Sequence, residues 1–279
     1  MGLDTGNIIS LSGKKYILQK CRKRPLPNDL SKKSLGFEAC QVIDKDKHNN
    51  NNLLFIKIAR TPNIDCPNIA QILLEQEKNV YQTLGNDDPL TPQFYNDGFF
   101  SFDHKDYYAI VREFRTGQHL AELPSIERRL FMDLIRAAIK TLVKYEGAGF
   151  YHGDLCPEHL LIGPDNKFTL IDPIGYPFTT PWNVVNNVRG TGHYNFLHPR
   201  DRKNRKVVSD YRDTYAIGKI LEWAFENTPW SDLSLRAINE LIDKALRVDL
   251  RFVYLSMSEL LEDFEAVYRE FPFKGEPIR

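Results

Sequence analysis

Apolar runs interrupted by polar connections set out the chain. Residues 14–21, 37–44 and 53–60 read as strands bounded by turn-forming or charged residues. The last two are joined by Lys45-Asp46-Lys47-His48 and four asparagines, a polar stretch that reads as a solvated hairpin loop. Residues 68–84 carry Ile69, Ile72, Leu73, Val80 and Leu84, a helical pattern. After Pro124, Ser125 is the expected N-cap of a helix that has Glu127 in its first turn and runs to Gly147. Its core face holds Leu130, Leu134, Ala138, Leu142 and Tyr145, and Gly147 and Gly149 end it. Short apolar runs follow near Tyr151 and over residues 168–172, each beside an acidic residue. Helices are expected from Asp213 to about residue 227 and over residues 234–247 and 256–270. The spacings predict a mostly antiparallel N-terminal sheet followed by a helical part.

Composition narrows the function classes. The chain of 279 residues can bury a sizeable core and has room for two lobes or domains. Lys plus Arg and Asp plus Glu both number 37, so the net charge is zero. That balance argues against a whole-protein footprint for nucleic acid or membrane. Cys21, Cys40, Cys66 and Cys156 show no CxxC and no metal-ligand spacing, so they are expected to be reduced. No basic-then-apolar leader pattern and no apolar run of ~18 residues is present, and a cytoplasmic location is expected.

Candidate chemistry begins with Lys57, which stands inside the apolar run Phe55-Ile56-Lys57-Ile58. A lysine among buried neighbours needs a partner or loses its charge. The helix that follows offers Glu77, with Glu75 as the second choice. The stretch Tyr151-His152-Gly153-Asp154-Leu155-Cys156-Pro157-Glu158-His159, with Phe168-Thr169-Leu170-Ile171-Asp172 after it, brings two carboxylates toward one cleft. Phosphoryl transfer asks for that pairing, since it needs placement of metal, phosphate and nucleophile more than covalent chemistry.

These residues resemble the catalytic loop and metal-binding strand of the protein kinase family, and Lys57, Glu77, Asp154, Asp172 and Asp213 follow in the family's order. The resemblance implies an α+β, two-lobed protein-kinase-like fold over residues 1–279. Its N-lobe (residues 1–114) would be a small antiparallel β-rich sheet plus one helix, and its C-lobe (residues 115–279) larger and mainly helical. Lys57 would hold the α- and β-phosphates of ATP, oriented by Glu77, and Asp154 would align the acceptor hydroxyl. Asp172, with His159, would bind Mg²⁺ or Mn²⁺. Residues 107–114 resemble the strand and hinge between the lobes, which places Glu113 beside the nucleotide. Arg112 falls next to the adenine pocket; either the register is off by one or a charged group enters there. Residues 173–199, with Gly190-Thr191 and Tyr194, resemble the activation segment, and Asp213-Thr214-Tyr215-Ala216-Ile217-Gly218 resembles the family helix whose aspartate accepts catalytic-loop hydrogen bonds.

Departures cluster around phosphate and metal. No Gly-x-Gly-x-x-Gly precedes the second strand; Arg22-Lys23-Arg24-Pro25 through Lys33, then Gly36-Phe37, stand there instead. Those cations could substitute for the glycine loop's backbone dipoles or form a solvated flap. Cys156 stands where Ser/Thr kinases carry a lysine, and His159 where they carry an asparagine. Pro173 follows Asp172 and limits the segment's swing. Pro199-Arg200 lacks the family's glutamate, and Val253 replaces its arginine partner. Gly153 replaces an arginine that pairs with activation-segment phosphate, so phosphorylation of residues such as Thr179, Thr180 and Thr191 is expected to be unnecessary.

The expected function is ATP-dependent phosphoryl transfer to Ser/Thr hydroxyls of a protein substrate. One alternative is a pseudokinase, a nucleotide-binding or scaffolding module for a regulated partner protein. The other is a small-molecule phosphotransferase of the aminoglycoside-kinase type, which the long 173–199 segment and the Asp213 helix oppose. The basic run 200–206 reads as an acidic-substrate dock or a solvated loop.

Overall fold

The first half of the chain alternates in the way a half-buried sheet requires. In β4 (Leu53–Ala59), Leu54, Ile56 and Ile58 are buried toward one face while Phe55 and Lys57 turn to the other. The computed structural model describes residues 3–22, 37–45, 53–59, 69–177, 194–199, 211–225, 236–247 and 253–271. The described chain groups into two units, one of Met1–Asp87 with Pro92–Arg115 and one of Asp88–Thr91 with Thr116–Arg279.

In the first unit, β1 (Ile8–Leu11), β2 (Lys14–Arg22), β3 (Phe37–Asp44), β4, β6 (Lys105–Glu113) and β5 (Phe94–Phe102) pair in that spatial order, every neighbour antiparallel. A two-residue turn joins β1 to β2, with Ser12 and Gly13 at φ 47° and 83°. The outer strands then approach one another: Asn96 Nδ2 donates to Leu11 O at 3.0 Å and Ser12 Oγ to Asp97 O at 2.7 Å. The inner face, Leu11, Leu18, Val42, Ile56, Ile58 and Val111 among others, is wholly buried. On the other face α1 (Ile69–Leu84) lays Leu74 and Tyr81 against Tyr108 and Ile110.

This corrects the expected fold. A two-lobed protein-kinase-like fold with a small β-rich N-lobe and a helical C-lobe does not match the near-closed, barrel-like sheet of six strands together with five described α-helices. The reason lies in β1 and β5, which the sequence reading did not count. They occupy the two edges of the sheet, and their meeting turns an open sheet into a nearly closed one.

A second correction concerns the cysteines. Cys21 and Cys40 form a disulfide across β2 and β3. They are direct register partners, 4.1 Å apart between Cα atoms. Cysteine spacing along the chain carries no information about register, which is why the pair was not foreseen. Cys156 is a buried free thiol.

In the second unit, α2 (Arg128–Gly147) buries Phe131, Leu134, Ile135, Ala138, Ile139, Leu142 and Tyr145. It is capped at Glu127 rather than Ser125, with Ile126 tucked into the core just before it. Asp88, 3% exposed, draws the Asp88–Thr91 segment onto this helix: it accepts from Leu90 N, Thr91 N, Thr141 Oγ1 and Lys144 Nζ. Two short sheets follow, β7 (Gln118–His119) with β9 (Leu160–Ile162) and β10 (Phe168–Leu170), and β8 (Phe150–Tyr151) with β11 (Tyr176–Pro177). Then come α3 (Arg212–Phe225), α4 (Arg236–Leu246) and α5 (Met257–Glu270). Ser256 caps α5, its hydroxyl accepting from Glu259 N at 3.1 Å.

Among the described residues no helix is long and apolar enough to cross a membrane. Several expectations lie outside the described residues: the asparagine run, Cys66, the basic stretch 23–33 with Gly36, residues 178–193 of the activation-like segment, and the basic run 200–206.

Candidate functional site

The first unit supplies a fixed cation. Lys57 faces α1 from β4, and its Nζ donates to Glu77 Oε2 at 2.7 Å. The lysine side chain is 14% exposed and the glutamate 3%, so a partner is what makes burial of either charge affordable. Glu75, two residues earlier, turns aside and accepts from Gln71 Nε2 at 2.8 Å. Tyr81, one helical turn beyond Glu77, donates to its other oxygen, Oε1, at 2.9 Å. The sequence reading did not single out Tyr81. Its signal was available: a tyrosine four residues after an inward-facing glutamate has to satisfy its hydroxyl when buried.

Arg112 is 3% exposed and lies on the same face of the sheet as Lys57. Its guanidinium carbon stands 4.1 Å from the Phe55 ring centroid and 5.6 Å from that of Tyr81, and its Nη1 donates to Glu113 O at 3.1 Å. The guanidinium is thus stacked between strand and helix. Glu113 is half-buried; its Oε2 pairs with Arg115 at 2.7 Å and accepts from Gln93 N at 3.3 Å.

The second unit brings together His152, Gly153, Asp154, Cys156, His159, Asp172 and Asp213. Gly153 has φ +77°, a backbone state that favours glycine. Its N–H and that of His152 donate to the two oxygens of Asp213, at 3.0 and 2.7 Å. Asp213 is 4% exposed; burial pushes its carboxyl above the ordinary carboxylate value, while these two N–H donors pull it back. One helix residue on α3 therefore sets the loop that carries Asp154.

Histidines tie that loop to the strand ending at Asp172. His152 Nε2 lies 3.1 Å from Ile171 O, so it carries the proton, and Nδ1 accepts from Asp154 N at 3.3 Å. Burial pushes His152 down to about 3, which keeps this ring neutral and structural. Main-chain bonds add to the tie, Ile171 N to His159 O at 3.0 Å and Ile174 N to His152 O at 2.8 Å. Asp172 itself has φ +56°, an uncommon state for a side-chain-bearing residue and a local strain held by those bonds.

The expected metal ligands can be tested on their donors. His159 Nδ1 lies 2.6 Å from Asp154 O, and a carbonyl only accepts, so Nδ1 bears the proton. In the neutral ring Nε2 then keeps its lone pair, the tautomer a metal ligand requires. As donor types, one carboxylate and one imidazole nitrogen suit Mn²⁺ better than Mg²⁺ and would leave the rest of an ion's shell to water and phosphate oxygens. Among the described residues no group of three or more His, Cys, Asp and Glu could hold an ion by protein ligands alone.

Asp154 is partly exposed, 18% at its side chain, and opens onto a shallow recess lined by Gly153, Leu155, Phe196, Leu197, Arg212 and Ala216. Cys156 is not among the residues lining that recess and is wholly buried, and burial pushes its thiol far up. No family model matches the chain, and no curated protein matches it.

Proposed function

We propose that the chain transfers the γ-phosphate of ATP to serine or threonine hydroxyls of a protein substrate. The reading rests on side chains and not on the fold. The observation that carries it is the Lys57–Glu77 pair, a strand cation fixed at 2.7 Å by a buried glutamate. A cation held before substrate arrives can meet phosphate oxygens with little reorganisation.

Lys57 grips the phosphate chain and Glu77 keeps its ammonium in place. Asp154 accepts a hydrogen bond from the attacking hydroxyl and aligns it, while Asp213 holds the loop through two backbone N–H groups. Asp172 and His159 would hold Mn²⁺ or Mg²⁺, which would supply positive charge to neutralise the phosphates. A cytoplasmic location belongs to this proposal; the Cys21–Cys40 disulfide weighs against it, since cytosolic thiols are mostly kept reduced.

Cys156 favours a second reading, a nucleotide-binding or scaffolding module. It is wholly buried and uncharged where Ser/Thr kinases place a lysine. A module of this kind binds ATP without turning it over.

Thermal shift with ATP in Mn²⁺ and in Mg²⁺ tests the nucleotide step that both readings share. Saturation at 100 times Kd stabilises the fold by ~2.7 kcal/mol. Asp172→Asn should lose the metal-dependent part of that shift and keep the fold. No shift with either ion, or a full shift in the variant, overturns the assignment.

A further inference from the structure

We propose that Tyr81 is a positioning residue for Lys57, acting through Glu77. For its consequence on ATP the idea rests on the phosphoryl-transfer reading; its geometry stands alone. Glu77 is 3% exposed, and its two oxygens accept from different elements: Oε2 from Lys57 on β4 at 2.7 Å, and Oε1 from Tyr81 on α1 itself at 2.9 Å. The phenol is therefore an anchor on the glutamate's own helix. The Tyr81 ring is 1% exposed and braced by the Arg112 guanidinium, 5.6 Å from its centroid, which in turn lies over Phe55. Strand, helix and the two residues between them form one latch. Without the phenol, the buried carboxylate loses a donor that stabilises its charge and one of the bonds that fix its rotamer. Lys57 then spends less time paired and more time mobile.

The experiment labels lysines with a limiting amount of N-hydroxysuccinimidyl acetate and reads the rate at Lys57 by peptide mass spectrometry. Wild type, Tyr81→Phe, Glu77→Gln and the double variant are compared. Phenylalanine keeps the ring, so packing is retained and only the donor is removed. Lys78, on the same helix and paired with Asp97 at 3.2 Å, is the internal control, because general loosening of α1 would raise both rates. The expected result is a rise at Lys57 of about three- to tenfold in Tyr81→Phe, with Lys78 unchanged and no further rise in the double variant, the signature of coupled residues. The Kd for ATP in Mn²⁺ should weaken by a similar factor. An unchanged or slower Lys57 rate in Tyr81→Phe, equal rises at Lys57 and Lys78, or additive rises in the double variant overturn the proposal. If labelling follows the expectation while wild type binds no ATP, the positioning role stands and the phosphoryl-transfer reading falls.

Discussion

At His159 the position of one proton decides what the side chain can do. The short bond to Asp154 O places that proton on Nδ1, and in the proposed function Nε2 is the atom that would meet a metal. Asparagine at this position would offer an amide oxygen instead. His159→Asn should therefore move the Mn²⁺-to-Mg²⁺ ratio of ATP affinity toward Mg²⁺ by about tenfold or more. Titration of ATP binding in each ion checks it, and an unchanged ratio would remove His159 from the metal site. Some of the site was legible residue by residue, because an isolated lysine in an apolar strand and a glutamate on the next helix both need explaining. The partners of Tyr81 were not legible beyond the need of its hydroxyl for one, and the inward turn of Arg112 stood open against a register slip. Both depend on which face of the sheet meets α1, and periodicity of one strand does not say what lies over it. The Cys21–Cys40 bond was hidden for a related reason, since it depends on register between two strands.

At the scale of elements, α3 joins the site to the helical core. Asp213 in its first turn holds the Asp154 loop, and Gly218 further along meets α4: a Cβ there would stand 2.7 Å from Ala245 Cβ and 3.0 Å from Leu246 Cδ2. Gly218→Ala gains up to ~1 kcal/mol of helix propensity. It also overpacks the contact at a cost of ~1–3 kcal/mol. The expected outcome is a lower Tm, read by calorimetry, and a raised Tm would show that the two helices can part freely.

The α2–α5 contact carries a charge pair whose pH dependence has a definite sign. Arg136 Nε and Nη2 each donate to Glu265 at 2.8 Å, with Lys140 at 3.0 Å. The Arg136 guanidinium, helped by Lys140, holds the Glu265 carboxyl below its ordinary value. The stabilisation is present above the unfolded carboxylate's pKa and is lost as pH falls through the lower folded value. Because the pair is partly exposed, it is worth only ~0.5–1 kcal/mol. Thermal melts of Glu265→Gln should start lower than wild type at pH 7 and converge on it in acid. Parallel curves at every pH would contradict this.

On the scale of the whole molecule, strand and helix segments were readable where they were long. Residues 68–84 and the stretch up to Gly147 were found within a few positions of α1 and α2. The sheet's closure was not readable, because it depends on the four-residue β1 and on β5, whose Tyr95, Asn96, Asp97 and Gly98 break any apolar run. With the nearly closed sheet the kinase-fold argument falls away, and the functional claim stands on the Lys57–Glu77 pair, Asp154 and Asp172. The direct measurement is transfer of radiolabel from γ-labelled ATP to a degenerate mixture of Ser- and Thr-containing peptides in Mn²⁺, with Asp154→Asn alongside. The account predicts label on Ser or Thr with wild type and a loss of at least ~10²-fold in the variant, whose fold is intact. A folded, ATP-binding wild type that transfers no label with either ion, or an Asp154→Asn variant that labels as well as wild type, would contradict it.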